Sequence, residues 1–135
     1  MTAASSFPPG FEGENRNIAI DFDGVIHSFD RGFLDGTCYG EPMPGAIDAI
    51  RDLATRYRVV IFTAKAKPNR PLVNGKTGTQ LVEEWLIKHG IRNCVADITS
   101  EKPRAFLYID DNAYRFTNWA DTFVFLETEF EKTSK

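Results

Sequence analysis

The run Ile18-Ala19-Ile20-Asp21-Phe22-Asp23-Gly24-Val25 constrains this chain more than any other, because a short apolar stretch delivers two carboxylates, spaced D-x-D, onto a glycine turn. Ile18 to Ile20 has the length and isoleucine content of a buried strand, and Gly24 permits backbone angles and close approaches that a side chain forbids. Both acids therefore leave a strand at its carboxyl end, which is where ligands bind in an open α/β sheet. Asp and Gly also end ordinary strands. The weight of the motif comes from what accompanies it further along.

After this strand, residues 25–41 hold Gly32, Gly36 and Gly40 among scattered aromatics, the pattern of a small hairpin or flap turning near Asp35-Gly36. Pro44-Gly45 opens a helical pattern in which Ile47, Ile50, Leu53, Ala54 and Tyr57 recur at three- and four-residue steps, with Pro44 suited to the first helical position. Arg58 to Thr63 reads as a second buried strand ending in a hydroxyl. A loop from Ala64 to Lys76, broken by Pro68 and Pro71, leads to Thr77-Gly78-Thr79-Gln80, a capping box. Leu81, Val82, Trp85, Leu86 and His89 then mark one helical face before Gly90 stops it, and Trp85 belongs to the core. Cys94 to Ile98 and Ala105 to Ile109 read as third and fourth strands, the latter running into Asp110-Asp111, and Thr122 to Leu126 as a fifth.

Strands alternating with helices predict an α/β fold, with a mostly parallel central sheet of about five strands flanked by helices. In such a sheet the carboxyl ends of the strands share one edge, so Asp21 and Asp23, Thr63, and Asp110 and Asp111 should meet there. Lys102, just before the fourth strand, is within reach of the same edge.

At 135 residues the chain fits one domain. The expected division is a leader over residues 1–16, rich in Ser, Pro and Gly, a single domain over 17–127, and a charged tail over 128–135. A net charge of −3 gives no global basic footprint for nucleic acid, so anion binding must be local. The two cysteines, Cys38 and Cys94, lack the spacing of a metal or redox site, which suits reduced thiols in a cytoplasmic protein. No run has the roughly 18 apolar residues of a membrane span, and the first fifteen residues lack the pattern of a signal peptide.

Carboxylates gathered in one crevice raise one another's pKa values unless a positive charge sits among them. Oxygen-only ligands favour a hard divalent ion, and Mg²⁺ held by a few carboxylates and a substrate phosphate is the usual arrangement. Thr63, Lys102 and the backbone N–H groups of the turn at Gly24 are suited to a phosphate. Asp21 can then attack phosphorus as a nucleophile, while Asp23 protonates the departing oxygen and later deprotonates water.

Asp21-Phe22-Asp23-Gly24 after an apolar strand, Thr63 ending a second, Lys102-Pro103, and then Tyr108-Ile109-Asp110-Asp111 resemble, in order and spacing, the four motifs of the haloacid dehalogenase (HAD) superfamily. The resemblance spans Ile18 to Asp111 and implies a Rossmann-like HAD fold, here with a small flap and no cap domain. It implies Asp21 as nucleophile, Asp23 as general acid/base with its backbone carbonyl on Mg²⁺, Thr63 and Lys102 as phosphate ligands, and Asp111 as the further metal ligand with Asp110 as its partner. An acid at position 23 resembles the phosphatase and phosphotransferase members. The expected activity is a Mg²⁺-dependent phosphomonoesterase working through aspartyl-phosphate, with an open site.

From Ala64 to Val82 there is no acidic residue, while Lys65, Lys67, Arg70 and Lys76 follow Thr63 closely. This cationic loop suggests a polyanionic substrate, a nucleotide or a nucleic-acid terminal phosphate, although a solvated surface loop has the same composition. His27 receives no role, while Tyr114 and Arg115, following the acids, could touch substrate or equally belong to core and surface. The competing readings are a phosphoacceptor signalling domain and a non-catalytic phosphate-binding protein. Receiver domains, however, place an adjacent acidic pair first and the lysine last. Small-molecule phosphates and an oligomeric state are both compatible with the sequence.

Overall fold

The computed structural model describes residues 16–133, so nearly all of the expected leader lies outside the described residues. Four strands form one parallel sheet: β1 (Asn17–Asp21), β2 (Arg58–Phe62), β3 (Val95–Thr99) and β4 (Leu107–Ile109), in the order β3-β2-β1-β4. Three α-helices flank it: α1 (Ala46–Ala54), α2 (Gly78–Lys88) and α3 (Trp119–Thr133). The expected α/β architecture with a parallel sheet is therefore present, and the fold is Rossmann-like in its alternation of strand and helix.

Strand alternation divides the sheet into two faces. Ile18, Ile20, Val59 and Ile61 point to one, where they join Ile50 of α1 and Val82, Trp85 and Leu86 of α2 in a buried cluster. The helical periodicity read from the sequence is the side of each helix that enters this core, although α1 begins at Ala46 behind Gly45, two residues later than Pro44. Helix α2 opens with the expected box: Thr77 Oγ1 accepts from the Gln80 N–H at 3.1 Å and Gln80 Oε1 accepts from the Thr77 N–H at 2.8 Å. On the second face, Ala19 and Val60 are buried. The β3–β4 connection returns over that side, with Asn17 Nδ2 donating to the Arg104 carbonyl and the Tyr108 hydroxyl to the Pro103 carbonyl.

Register aligns the strand ends. Asp21 pairs with Phe62, Ile20 with Ile109, and Phe62 with Thr99. Thr63, Asp110 and Asp21 consequently lie along one edge of the sheet.

One expectation is corrected here. The sheet has four strands among the described residues, not about five, because Thr122 to Leu126 is helical. Its β-branched and aromatic residues favour a strand only when a sheet neighbour is there to pack against. Instead Asn118 caps a helix: its Oδ1 accepts from the Asp121 N–H at 2.8 Å and its carbonyl from the Thr122 N–H at 3.1 Å. Helix α3 also covers residues 128–133 of the segment expected as a charged tail, and residues 134–135 lie outside the described residues. Residues 25–41 form a flap built of turns, with Gly36 at φ 86° and the Thr37 N–H donating to Asp35 Oδ1, and no strand of a hairpin.

Candidate active site

Phe22, the middle residue of the D-x-D motif, is the anchor of the site. It is fully buried and packs against the edge of Trp85, with ring centroids 5.2 Å apart. Its carbonyl accepts from the N–H groups of Ile26 and His27, both at 2.9 Å, closing a tight turn directly after β1. Asp21 and Asp23 are left on the other side of the chain, toward the sheet edge. Gly24 sits in this turn at φ 86°, and a Cβ there would collide with the Asp111 carboxylate. Glycine is thus needed twice over, for the left-handed angle and for the approach of Asp111.

Asp21, Asp110 and Asp111 each offer a carboxylate oxygen, and the three lie within 4.8 Å of one another. Burial, the Asp110 charge, a hydrogen bond with Asp111 and the Asp111 charge push Asp21 from 3.8 up to about 7, against a smaller pull from the Phe22 N–H. A half-buried carboxylate in this position is short of positive charge. The donor set is oxygen alone, since the three ligand-bearing residues of the cluster are all aspartates. Such a cluster has the chemistry and span of a hard divalent cation's ligands.

Thr63 is buried and stands beside Asp21 on the neighbouring strand end. Its Oγ1 accepts from the Lys65 N–H at 3.2 Å, capping a 3-10 turn over Ala64–Ala66. The hydroxyl proton is left to donate, so the capping role and phosphate binding are compatible.

Asp23 makes two contacts that the sequence did not announce. Its Oδ2 is 3.0 Å from Lys65 Nζ, and its Oδ1 is 3.0 Å from His27 Nδ1. Lys65, one of the four cations of the expected substrate loop, is buried, because the 3-10 turn after Thr63 folds it under the flap. Its position two residues past the strand-ending threonine, between two alanines, was the available signal. For His27 the signal was its place four residues after Asp23, across a glycine turn.

Two of the other three cations of the loop are also engaged within the chain. The Arg70 guanidinium lies 4.1 Å from the Phe33 ring centroid, and Lys76 pairs with Glu84. Lys67 alone of the four is exposed with no ion pair among the described residues. Lys102 does not touch the carboxylates. Its exposed ammonium rests 4.7 Å from the Tyr108 ring centroid and 5.6 Å from that of Phe62, because the β3–β4 connection carries it onto the second face of the sheet.

No protein-family model, curated protein or solved structure matches this chain. Among the described residues no helix is long and apolar enough to cross a membrane.

Proposed function

We propose that the chain is a phosphomonoester hydrolase that forms an aspartyl-phosphate on Asp21. The observation that carries this reading is the meeting of Asp21, Thr63, Asp110 and Asp111 at one sheet edge, with Asp23 two residues past Asp21. Five side chains drawn from three strand ends belong to three of the four ordered motifs by which the sequence resembles the HAD superfamily; Lys102, of the remaining motif, lies over the Phe62 and Tyr108 rings. Asp21, Asp111 and Asp110, with the Asp23 carbonyl, would hold Mg²⁺, which supplies charge neutralisation at the phosphate and the nucleophile. The fit rests on the oxygen-only donor set and on the charge deficit at Asp21.

In the first step an Asp21 carboxylate oxygen bonds to phosphorus as the bond to the leaving oxygen breaks, and Asp23 gives that oxygen a proton. In the second, Asp23 takes a proton from water. The resulting hydroxide oxygen bonds to phosphorus, and the bond to Asp21 breaks to release phosphate. Thr63 donates its hydroxyl proton to a non-bridging oxygen. Lys102 reaches the phosphate by leaving the Phe62 and Tyr108 rings, a cation–π contact worth about 0.5–1 kcal/mol at an exposed position.

The substrate is a phosphomonoester, either a small molecule or a nucleotide or nucleic-acid end. Because Lys65, Arg70 and Lys76 are engaged within the chain, the cationic loop argues less strongly for a polyanion than its composition does. The test is phosphate release with Mg²⁺ from a panel of small phosphomonoesters, nucleotides and 3′- or 5′-phosphorylated oligonucleotides, comparing wild type with Asp21→Asn. Turnover by wild type and its loss in the variant is the expected result. A stable phosphoprotein without turnover would assign a phosphoacceptor domain instead.

A further inference from the structure

Around Asp23 lies a buried chain of contacts that neither bond-making step uses directly. The Lys65 and His27 side chains are both 0% exposed, so an ammonium and an imidazole have been taken out of water to reach one carboxylate. The Gly40 N–H donates to His27 Nε2 at 2.8 Å. That makes Nε2 the acceptor and puts the ring proton on Nδ1, from which it is donated to Asp23 Oδ1. The Gly40 carbonyl in turn accepts from Trp85 Nε1–H of α2 at 2.9 Å. A Cβ at Gly40 would collide with Ser28 and come within 3.2 Å of His27 Nε2, so only glycine brings this peptide in. The His27 ring is stacked on Phe22, with centroids 5.0 Å apart. Lys65 Nζ also faces the Phe29 and Phe33 rings of the flap, at 5.1 and 4.6 Å.

Burying an ammonium stabilises a fold poorly, because desolvation consumes most of what the ion pair returns, and apolar replacements of such pairs are often neutral or better. What two donors on opposite oxygens do provide is orientation. A carboxylate has about four lone-pair sites. With one on each oxygen occupied, the plane of the group is fixed and one site per oxygen remains for the cleft.

We propose that Lys65 and His27 are positioning residues that lock the Asp23 carboxyl group so that the remaining site on one oxygen, which carries the proton in the first step and is a free lone pair in the second, faces the leaving oxygen of the bound phosphomonoester, with Gly40 and Trp85 fixing the imidazole from behind. The inference rests on the reading of Asp21 and Asp23 given above. It separates two kinds of substrate. An alkyl phosphate needs a proton on its leaving oxygen, whereas 2,4-dinitrophenyl phosphate does not.

The experiment is kcat/KM on both esters for wild type, Asp23→Asn, Lys65→Met, His27→Phe, His27→Asn and the double variant Lys65→Met/Asp23→Asn, with inhibition by inorganic phosphate measured alongside. Lys65→Met and His27→Phe should lower kcat/KM on the alkyl ester by about 10²-fold, the lower end of what a positioned acid contributes. On the dinitrophenyl ester they should stay near wild type, with phosphate inhibition unchanged. His27→Asn, which keeps an N–H near the Nδ1 position, should recover part of the loss, and Lys65→Met should cost nothing further beside Asp23→Asn. Equal losses on the two esters, or an added loss in the double variant, would overturn the proposal and place Lys65 in phosphate binding or folding. If Lys65→Met does not fold, Lys65→Arg and the two His27 variants decide on the same criterion. A wild type inactive on both esters overturns the phosphatase reading itself. A leaving-group-dependent loss in Asp23→Asn secures that reading whatever Lys65 does.

Discussion

Asp21 carries an electrostatic conflict among neighbouring carboxylates, and its consequence is a pH dependence of stability. Its pKa is raised from 3.8 to about 7 in the folded chain, so between those values the folded state holds a proton that the unfolded state has lost. Stability of the metal-free protein therefore falls as pH rises from about 4 to about 7, and levels off above. We expect urea melts to show this decline, and Asp21→Asn to remove it and to be the more stable protein at pH 8. Gly24→Ala acts on the same cluster from the other side. It forces a side chain to φ 86° against Asp111, a strain of about 1–3 kcal/mol for a left-handed non-glycine residue. The expected outcome is that loss in stability together with weaker Mg²⁺ binding, read by denaturation and by calorimetric titration. At this scale the sequence revealed the acids and the glycine, since their types and spacing are local. For Lys65 it offered only the local signal of two flanking alanines after Thr63, because the Asp23 that draws it inward lies 42 residues earlier.

The elements hold the site through their starting points. Helix α2 opens with the Thr77 capping box, and Thr77→Ala should cost about 1 kcal/mol by loss of that cap, measured in urea. Gly78→Ala should be worse and different in kind. A Cβ there would fall on the Lys65 carbonyl, so α2 must shift away from the turn that carries Thr63 and Lys65. Phosphate release should therefore fall together with stability in Gly78→Ala, whereas Thr77→Ala should keep most of its activity. Helix α3 contrasts with these. Within Trp119 to Glu129 only Thr122 is buried, while Phe123 and Val124 are 59% and 64% exposed. Its amides should exchange with deuterium well before those of β1 and β2, since few apolar contacts protect its hydrogen bonds. The helices α1 and α2 were legible because their apolar residues recur at helical steps. Thr122 to Leu126 was misread because a five-residue apolar run has no period of its own, and the Asn118 cap that decides it lies outside the run.

For the whole molecule, ligand binding and folding share one sheet edge, so the proposed cation should register as stability. Anything that binds the folded chain alone raises Tm with its concentration. Mg²⁺ should raise Tm at pH 8, where Asp21 is ionised, and much less at pH 4, where it is protonated; equal shifts at both pH values would argue against a site at Asp21. The sequence by itself determined the alternation of strands and helices, the parallel sheet, and which polar residues end its strands, because each of these is written in the periodicity and punctuation of short segments. Only the tertiary structure decided the number of strands, the place of Lys102 on the aromatic pair of the second face, and the buried contacts from Trp85 through Gly40 and His27 to Asp23. Those depend on partners distant in the chain. A lysine has the same local signature whether it faces solvent or a carboxylate, and only the packing of flap, sheet edge and helix α2 around Asp23 separates the two.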